Sequence, residues 1–349
     1  MTQSSDPAHR DGVDPDFAWL PDFGLGGVPL GNEFEVVTDE MAYATLSAAW
    51  DAGIRYYDVS PWYGLGLAER RFGAFLHRQD RDSYVLSSKV GKLMKASPDN
   101  DARKNFPFSP SPNNVVFDYT ADGVHRSIED SLQRLGVSHL DIVFVHDLSP
   151  DNQLLPAPWE DLFAVALKGA FPALSQMRAE GMIRSWGVGV NCPQPILRVI
   201  AESDPDLCLL ASQYSLIDHA NALKEVFPAA RQRGVKFVVG SSLNAGFVSG
   251  SPRYNYGEGR WEIPADKIER REKLRATAAK YGVDPRAAAM QFSAAPDIAA
   301  SLIVGAGTAE HVLADVSAFR TPIPMAFWDE LRRQGLIEPD APTPRSPPS

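Results

Sequence analysis

Short apolar runs bounded by Gly, Pro, Asp or Asn recur along the chain, separated by stretches of helical length with a one-sided apolar face. The runs that read as strands are FGLGG (23–27), IRYYDVS (54–60), SYVLSSK (83–89), LDIVFVH (140–146), IRSWGVGV (183–190), LCLLASQ (207–213), VKFVVGS (235–241) and ASLIVG (300–305). They are close to continuously apolar rather than alternating, as strands buried on both faces must be. Between them, DEMAYATLSAAWDAG puts Met41, Leu46, Ala49 and Trp50 on one stripe, with Thr38 or Asp39 as cap and Gly53 as stop. ADGVHRSIEDSLQRLG aligns Val124, Ile128, Leu132 and Leu135 and stops at Gly136, and FPALSQMRAEG stops at Gly181.

Eight strands each followed by a helix predict an α/β fold, a single-domain (β/α)8 TIM barrel, rather than a doubly wound sheet. The first run does not carry a dinucleotide fingerprint either, because FGLGGVPLGN lacks the third glycine and opens no helix promptly. The folded unit is expected over 17–338. Residues 1–16 have neither a basic start nor an apolar run and read as a solvated tail, and the Pro-rich 339–349 can neither form a helix nor pair as a strand. Three connections, 90–119, 147–158 and 244–264, are too long for turns and all follow strands, so they are expected as long loops at the C-terminal mouth. Phe106, Phe108, Trp159, Tyr254, Tyr256 and Trp261 in and beside them favour ordered walls over solvated linkers.

Composition narrows the partners. A net charge of −10 with scattered Lys and Arg leaves no basic footprint for nucleic acid. Two cysteines, Cys192 and Cys208, make no disulfide framework and no zinc spacing, so a reducing, cytoplasmic setting is expected, with no metal and no membrane.

The chemistry concentrates at strand ends. DVSPWYG sets Asp58 at the rim of the second strand and Tyr63 on the turn after it, the third strand ends at Lys89, and the fourth ends at His146. In a barrel these groups converge on one mouth, where a Lys deep in a strand needs a carboxylate such as Asp58. A phenol has a reference pKa of ~10, and a nearby ammonium stabilises its phenolate. Tyr63 can then exchange a proton with a carbonyl or hydroxyl oxygen that His146 orients, and Trp62 offers a flat wall to the substrate.

DVSPWYG, SSKVG and VFVHD resemble the motifs of the aldo-keto reductases, and SWGVGVNCPQPI, ASQYSLID, SSLNAGFVSG and VGAGTAEHVLADV resemble the segments ending that family's fifth to eighth strands. The resemblance implies a catalytic tetrad of Asp58, Tyr63, Lys89 and His146 and a nicotinamide cofactor. It implies that Asn191 and Gln213 hold the carboxamide, and that Gly26 and Gly27 lie along the cofactor. The turn carrying Ser241, Leu243, Ala245 and Gly246 would wrap the pyrophosphate with backbone N–H groups. Gly305, Gly307, Thr308, His311 and Asp315 would hold the adenosine end.

The chain departs from the family in two places. Gly240 stands where many members carry an aromatic that stacks on the nicotinamide. Gly305, Ala306, Gly307 and Thr308 stand where NADP-preferring members carry a cation, and Asp315 would repel a 2′-phosphate, which makes NAD the expected cofactor over NADP. DAGIRYYDVSPWYGLGLAERRFG and SSKVGKLM look most similar to the branch of aldose 1-dehydrogenases, which oxidise L-fucose and other D-threo-aldoses to lactones and have a relative that oxidises the hemiacetal of pyridoxal. The expected partner is a small carbonyl compound or cyclic hemiacetal, for a monomer or dimer. A general NADPH-dependent reductase and a non-enzymatic, cofactor-sensing subunit are the alternative readings.

Overall fold

The computed structural model describes residues 17–98, 101–254 and 263–344; Tyr256 and Trp261 lie outside the described residues. The strands are β1 (Phe23–Gly26), β2 (Tyr56–Asp58), β3 (Val85–Val90), β4 (Lys92–Ala96), β5 (Asn113–Phe117), β6 (Ile142–His146), β7 (Ser185–Val190), β8 (Leu207–Ala211), β9 (Lys236–Gly240) and β10 (Ala299–Gly305). Eight of them close a barrel in the order β1-β10-β9-β8-β7-β6-β3-β2, with every neighbouring pair parallel. Each apolar run contains one barrel strand.

Side chains alternate between the inside and outside of a barrel strand. Tyr56, Val85, Ile142, Phe144, Leu207, Leu209, Val238 and Ile303 share the inner cluster, which Phe17 and Leu20 join from the N-terminal segment. Continuing on the same parity from Tyr56, Val85 and Phe144 gives Asp58 on β2, Ser87 and then Lys89 on β3, and His146 on β6. The alternation that fills the floor with hydrocarbon therefore places three ionisable groups above it. Outward residues such as Tyr57, Leu86, Val143 and Trp186 pack under the helices.

The helices follow their caps. Thr38 Oγ1 accepts from Met41 N at 3.2 Å at the head of the helix Asp39–Asp51. Helix Ala121–Leu135 ends on Gly136 in the left-handed region, which glycine enters at no steric cost.

Three expectations need correction. In the helix Asp39–Asp51 the buried face is Ala42, Thr45, Leu46 and Ala49, while Met41 is 40% exposed. Small residues there let the helix pack closely against Ala309–Arg320, which excludes the bulkier Met41 from the seam. The connection 90–119 holds an antiparallel hairpin, β4 with β5, pairing Lys92 with Phe117 and Ala96 with Asn113, and a 3-10 turn at Asp101–Asn105. Packing continues past Glu338 to Ala341, 2% exposed, whose carbonyl accepts from Arg332 Nη2 at 3.1 Å.

Candidate active site

Asp58 and Lys89 form an ion pair of 2.7 Å with each side chain 1% exposed. Further hydrogen bonds support the pair: Lys89 Nζ also donates to Val59 O at 3.0 Å, and Asp58 Oδ1 accepts from Ser87 Oγ at 2.6 Å. That is the condition under which two buried charges persist. The ammonium lies 4.7 Å from the centroid of the Tyr63 ring, which meets the His146 ring edge-on at 5.8 Å. The four residues inferred from strand ends thus come together at the base of one cavity of about 780 Å³, which all four line.

Tyr63 rides on a turn built to hold it. Gly64, Leu65 and Gly66 are three successive left-handed residues, with φ of 65°, 56° and 89°. A Cβ on Gly64 would lie 2.2 Å from Gly31 O, and one on Gly31 would lie 2.6 Å from Tyr63 C, so two loops meet there backbone to backbone. Ser109 Oγ donates to Gly64 O at 2.8 Å and Ser111 Oγ to Leu65 O at 2.6 Å.

Ser60 Oγ accepts from Trp62 N at 3.1 Å and lies 3.1 Å from His146 Nδ1, to which its own hydrogen can be given. The acceptor-only carboxylate of Asp147 beside Nε2 favours the tautomer with its hydrogen on that nitrogen. Burial, aided by the ammonium groups of Lys92 and Lys89, holds the ring well below its usual pKa, so it is a neutral hydrogen-bond donor. Beside Nε2, at 3.4 Å, lies Asp147 Oδ2, which also accepts from Lys92 Nζ. Lys92 in turn sits 4.5 Å from the centroid of Trp62, and Trp62 packs edge-on against Phe106 at 5.0 Å. Burial pulls Lys92 below the usual ammonium range, and Asp147 opposes the shift.

Lys92 and Asp147 escape the sequence reading. The signal is present in SSKVGK, where a second lysine follows Lys89 by three positions, and in VFVHD, where a carboxylate follows the histidine. Neither spacing says that a hairpin and a strand end bring the two together.

The rest of the cavity runs from this floor toward β9 and β10. Of the residues expected along a cofactor, Gly26, Asn191, Ser241, Leu243, Ala245, Gly246, Gly305, Gly307, His311 and Asp315 line it. Gly27, Gln213 and Thr308 stand behind the wall. Gly27 N donates to Asp58 O at 2.8 Å, Gln213 Nε2 donates to Asn191 O at 2.7 Å, and Thr308 Oγ1 caps the next helix by accepting from His311 N at 3.2 Å. Asn191 Nδ2 reaches Asp151 Oδ2 at 3.5 Å. At Gly240 an added Cβ would meet Leu209, Ala211 and Ile303 at 3.6 to 3.7 Å, so the floor there is aliphatic.

The turn after β9 presents a row of backbone donors to the cavity. Ser241, Asn244 and Ala245 are non-glycine residues with φ of 58°, 48° and 56°, a conformation that costs about 1–3 kcal/mol each and persists only where surroundings enforce it. The N–H groups of Ser242, Leu243, Ala245 and Gly246 find no backbone acceptor among the described residues, and the buried Ser242 Oγ has no partner there. Such a set of donors fits a pyrophosphate. At the far end Arg286 brings a guanidinium that the strand turn lacks, already held by Asp315 at 3.4 Å and Asp284 at 3.8 Å. Burial raises the Asp315 carboxyl above its usual pKa, against the pull of Arg286.

A parallel barrel with these four residues at its carboxyl mouth defines an oxidoreductase class, and sequence comparison bears on it directly. The profile of the aldo/keto reductase family matches residues 22–334, and the chain belongs to that family. It is 34% identical over 328 residues to a D-threo-aldose 1-dehydrogenase of a Pseudomonas species, spanning 91% of this chain and 95% of the relative. It is 36% identical over 332 residues to a pyridoxal 4-dehydrogenase of Microbacterium luteolum, spanning 90% and 94%. The holo form of an aldo-keto reductase from Bacillus halodurans shares the fold, with a TM-score of 0.68 at 22% identity over 91% of this chain and 93% of that one. The protein is an NAD(P)-dependent oxidoreductase acting on carbonyl or hydroxyl groups. Among the described residues no helix is long and apolar enough to cross a membrane.

Proposed function

We propose that the protein oxidises the anomeric hydroxyl of an aldose of the D-threo type to a lactone, using NAD in the cytoplasm, with Tyr63 as the proton-transfer residue. The observation that carries this reading is the fully buried Asp58–Lys89 pair beside the Tyr63 ring, with neutral His146 across from it. A nicotinamide bound along the cavity supplies the acceptor for the hydride that leaves the carbinol carbon. Tyr63 takes the hydroxyl proton, and Lys89 stabilises the charge that moves on and off its oxygen. His146 Nε2–H donates to the same substrate oxygen and fixes its direction. Asp58 holds Lys89 in place through their ion pair, and Trp62 gives the sugar ring a face to lie on.

The cofactor assignment rests on charge. Arg286 lines the cavity together with His311 and Asp315, and its partners Asp315 and Asp284 already balance it, so a 2′-phosphate there would meet carboxylates. The 36% identity to a pyridoxal 4-dehydrogenase supports a second substrate, the cyclic hemiacetal of pyridoxal, for which the same proton path serves.

The test follows the reduced-nicotinamide absorbance of purified protein with NAD or NADP and L-fucose, D-arabinose or pyridoxal. Signal growth with NAD and an aldose supports the reading, and growth with pyridoxal alone selects the second substrate. Silence with all three, together with NADPH consumption on simple aldehydes, identifies a general reductase and overturns the proposal.

A further inference from the structure

Asp147 and Lys92 are charged groups in the cavity that the proton-transfer chemistry does not use. They line it side by side, Lys92 3% and Asp147 19% exposed. Their placement is enforced from three directions. Asp147 is a non-glycine residue at φ 46°, held by its own N–H on Gly189 O at 2.9 Å and by Asn152 Nδ2 on its carbonyl at 2.9 Å. Lys92 arrives on the β4–β5 hairpin, outside the barrel, and its ammonium is set over the Trp62 ring. Holding a buried ion pair in strained backbone against a substrate wall is unfavourable for a site that takes only simple, apolar aldehydes.

Resting on the aldose reading above, we infer that the Asp147–Lys92 pair recognises the hydroxyl on C2, next to the anomeric carbon, and so selects 2-hydroxy aldoses. The geometry follows from His146. Its Nε2 holds the anomeric oxygen, and Asp147 Oδ2 lies 3.4 Å from that nitrogen. Oxygens on adjacent sugar carbons are themselves about one hydrogen bond apart, so the C2 hydroxyl comes within reach of the paired carboxylate and ammonium. A hydroxyl can donate once and accept twice. It gives its hydrogen to Asp147 and accepts from Lys92, adding one hydrogen bond to each member of the pair. A substrate without that hydroxyl covers the pair without supplying those hydrogen bonds, which is how a polar site rejects a deoxy analogue.

The test compares D-arabinose with 2-deoxy-D-ribose, which is D-arabinose lacking only the C2 hydroxyl, in the unmodified protein and in Asp147→Asn and Lys92→Gln. Comparing the ratio of kcat/KM values between proteins cancels the intrinsic reactivity difference of the two sugars. The unmodified protein is expected to favour D-arabinose by about 10- to 100-fold, the range of a charge-assisted hydrogen bond. In each variant the ratio falls about 10-fold or more below that of the unmodified protein, chiefly through KM for D-arabinose. A merely structural role would lower both sugars together and leave the ratio standing, which overturns the inference. Preference for the hydroxyl that survives in Lys92→Gln overturns it too, and that variant serves if Asp147→Asn does not fold. Oxidation of neither sugar by the unmodified protein overturns the aldose reading itself.

Discussion

Replacing Asp58 by Asn removes one charge from a pair that has almost no contact with solvent. At 2.7 Å the gross attraction of two unit charges is about 6 kcal/mol for an effective dielectric constant of 20. Much of that offsets desolvation, and breaking a buried pair by deleting one partner costs about 3–5 kcal/mol because the other charge is stranded. Asn keeps the shape and one acceptor for Ser87, so the loss falls on Lys89. With an unfolding entropy of about 0.7 kcal/mol/K for a chain of this length, the variant should melt roughly 4 to 7 °C lower. Stripped of its counter-ion, Lys89 is no longer held beside Tyr63, and turnover should fall about 100-fold at neutral pH. Differential scanning calorimetry and initial rates read the two effects. The double variant Asp58→Asn/Lys89→Met separates them: with no buried charge left it should regain most of the lost Tm while turnover stays low. A single variant that melts within a degree of the parent, or a double variant whose losses add, would refute the reasoning.

Other sites give equally specific outcomes. Gly64→Ala forces a Cβ to within 2.2 Å of Gly31 O at φ 65°; it should cost roughly 2–4 kcal/mol and lower kcat more than it raises KM, since it displaces Tyr63, and unchanged kinetics would contradict that. His219 is buried and neutral, bonding Ser215 O at 3.0 Å and accepting from Glu338 N at 3.1 Å; burial, with Arg270 nearby, pushes its pKa down to about 4. A depressed pKa in the folded state means that its stabilisation is full above about pH 6.5 and is lost as pH falls toward 4, on the order of 3 kcal/mol in all. Chemical denaturation across that window should therefore show a steeper loss for the unmodified protein than for His219→Gln, and parallel curves would exclude the linkage. Asp315→Asn frees part of Arg286 and should shift the NADP-to-NAD preference about tenfold toward NADP, measured as a ratio of kcat/KM values; no shift would remove the charge argument for NAD.

Much of the barrel was legible because its strands are buried on both faces, and continuous apolar runs such as VFVH and KFVVG say so without tertiary information. The convergence of these side chains was legible for a related reason: polar residues at the ends of such runs have only the mouth to occupy, and in β2, β3 and β6 the polar groups besides Asp58, Lys89 and His146 are hydroxyls. Met41 was misplaced because helical spacing alone does not tell a seam of Ala42, Thr45 and Ala49 from a broader stripe one residue over. The hairpin stayed hidden since KLMKA and NNVVF are short, mixed in polarity and paired across a long connection. Asp147 and Lys92 stayed hidden with it, because their partnership exists only once that hairpin folds over the end of β6. Arg286 lies outside the turn from Gly305 to Thr308 and reaches the cavity from the first turn of the helix Pro285–Ala294, a placement that only the folded chain shows.

The most direct measurement is the single-turnover rate of Tyr63→Phe beside cofactor affinity measured by fluorescence titration. Loss of the hydroxyl alone should lower the rate of reduced-nicotinamide formation by about 100-fold or more and leave the dissociation constant of the cofactor within a factor of about 2 to 3. A variant that binds the cofactor and turns over at the parent rate would contradict the assignment of proton transfer to Tyr63, and with it the account of how the Asp58, Lys89 and His146 geometry works.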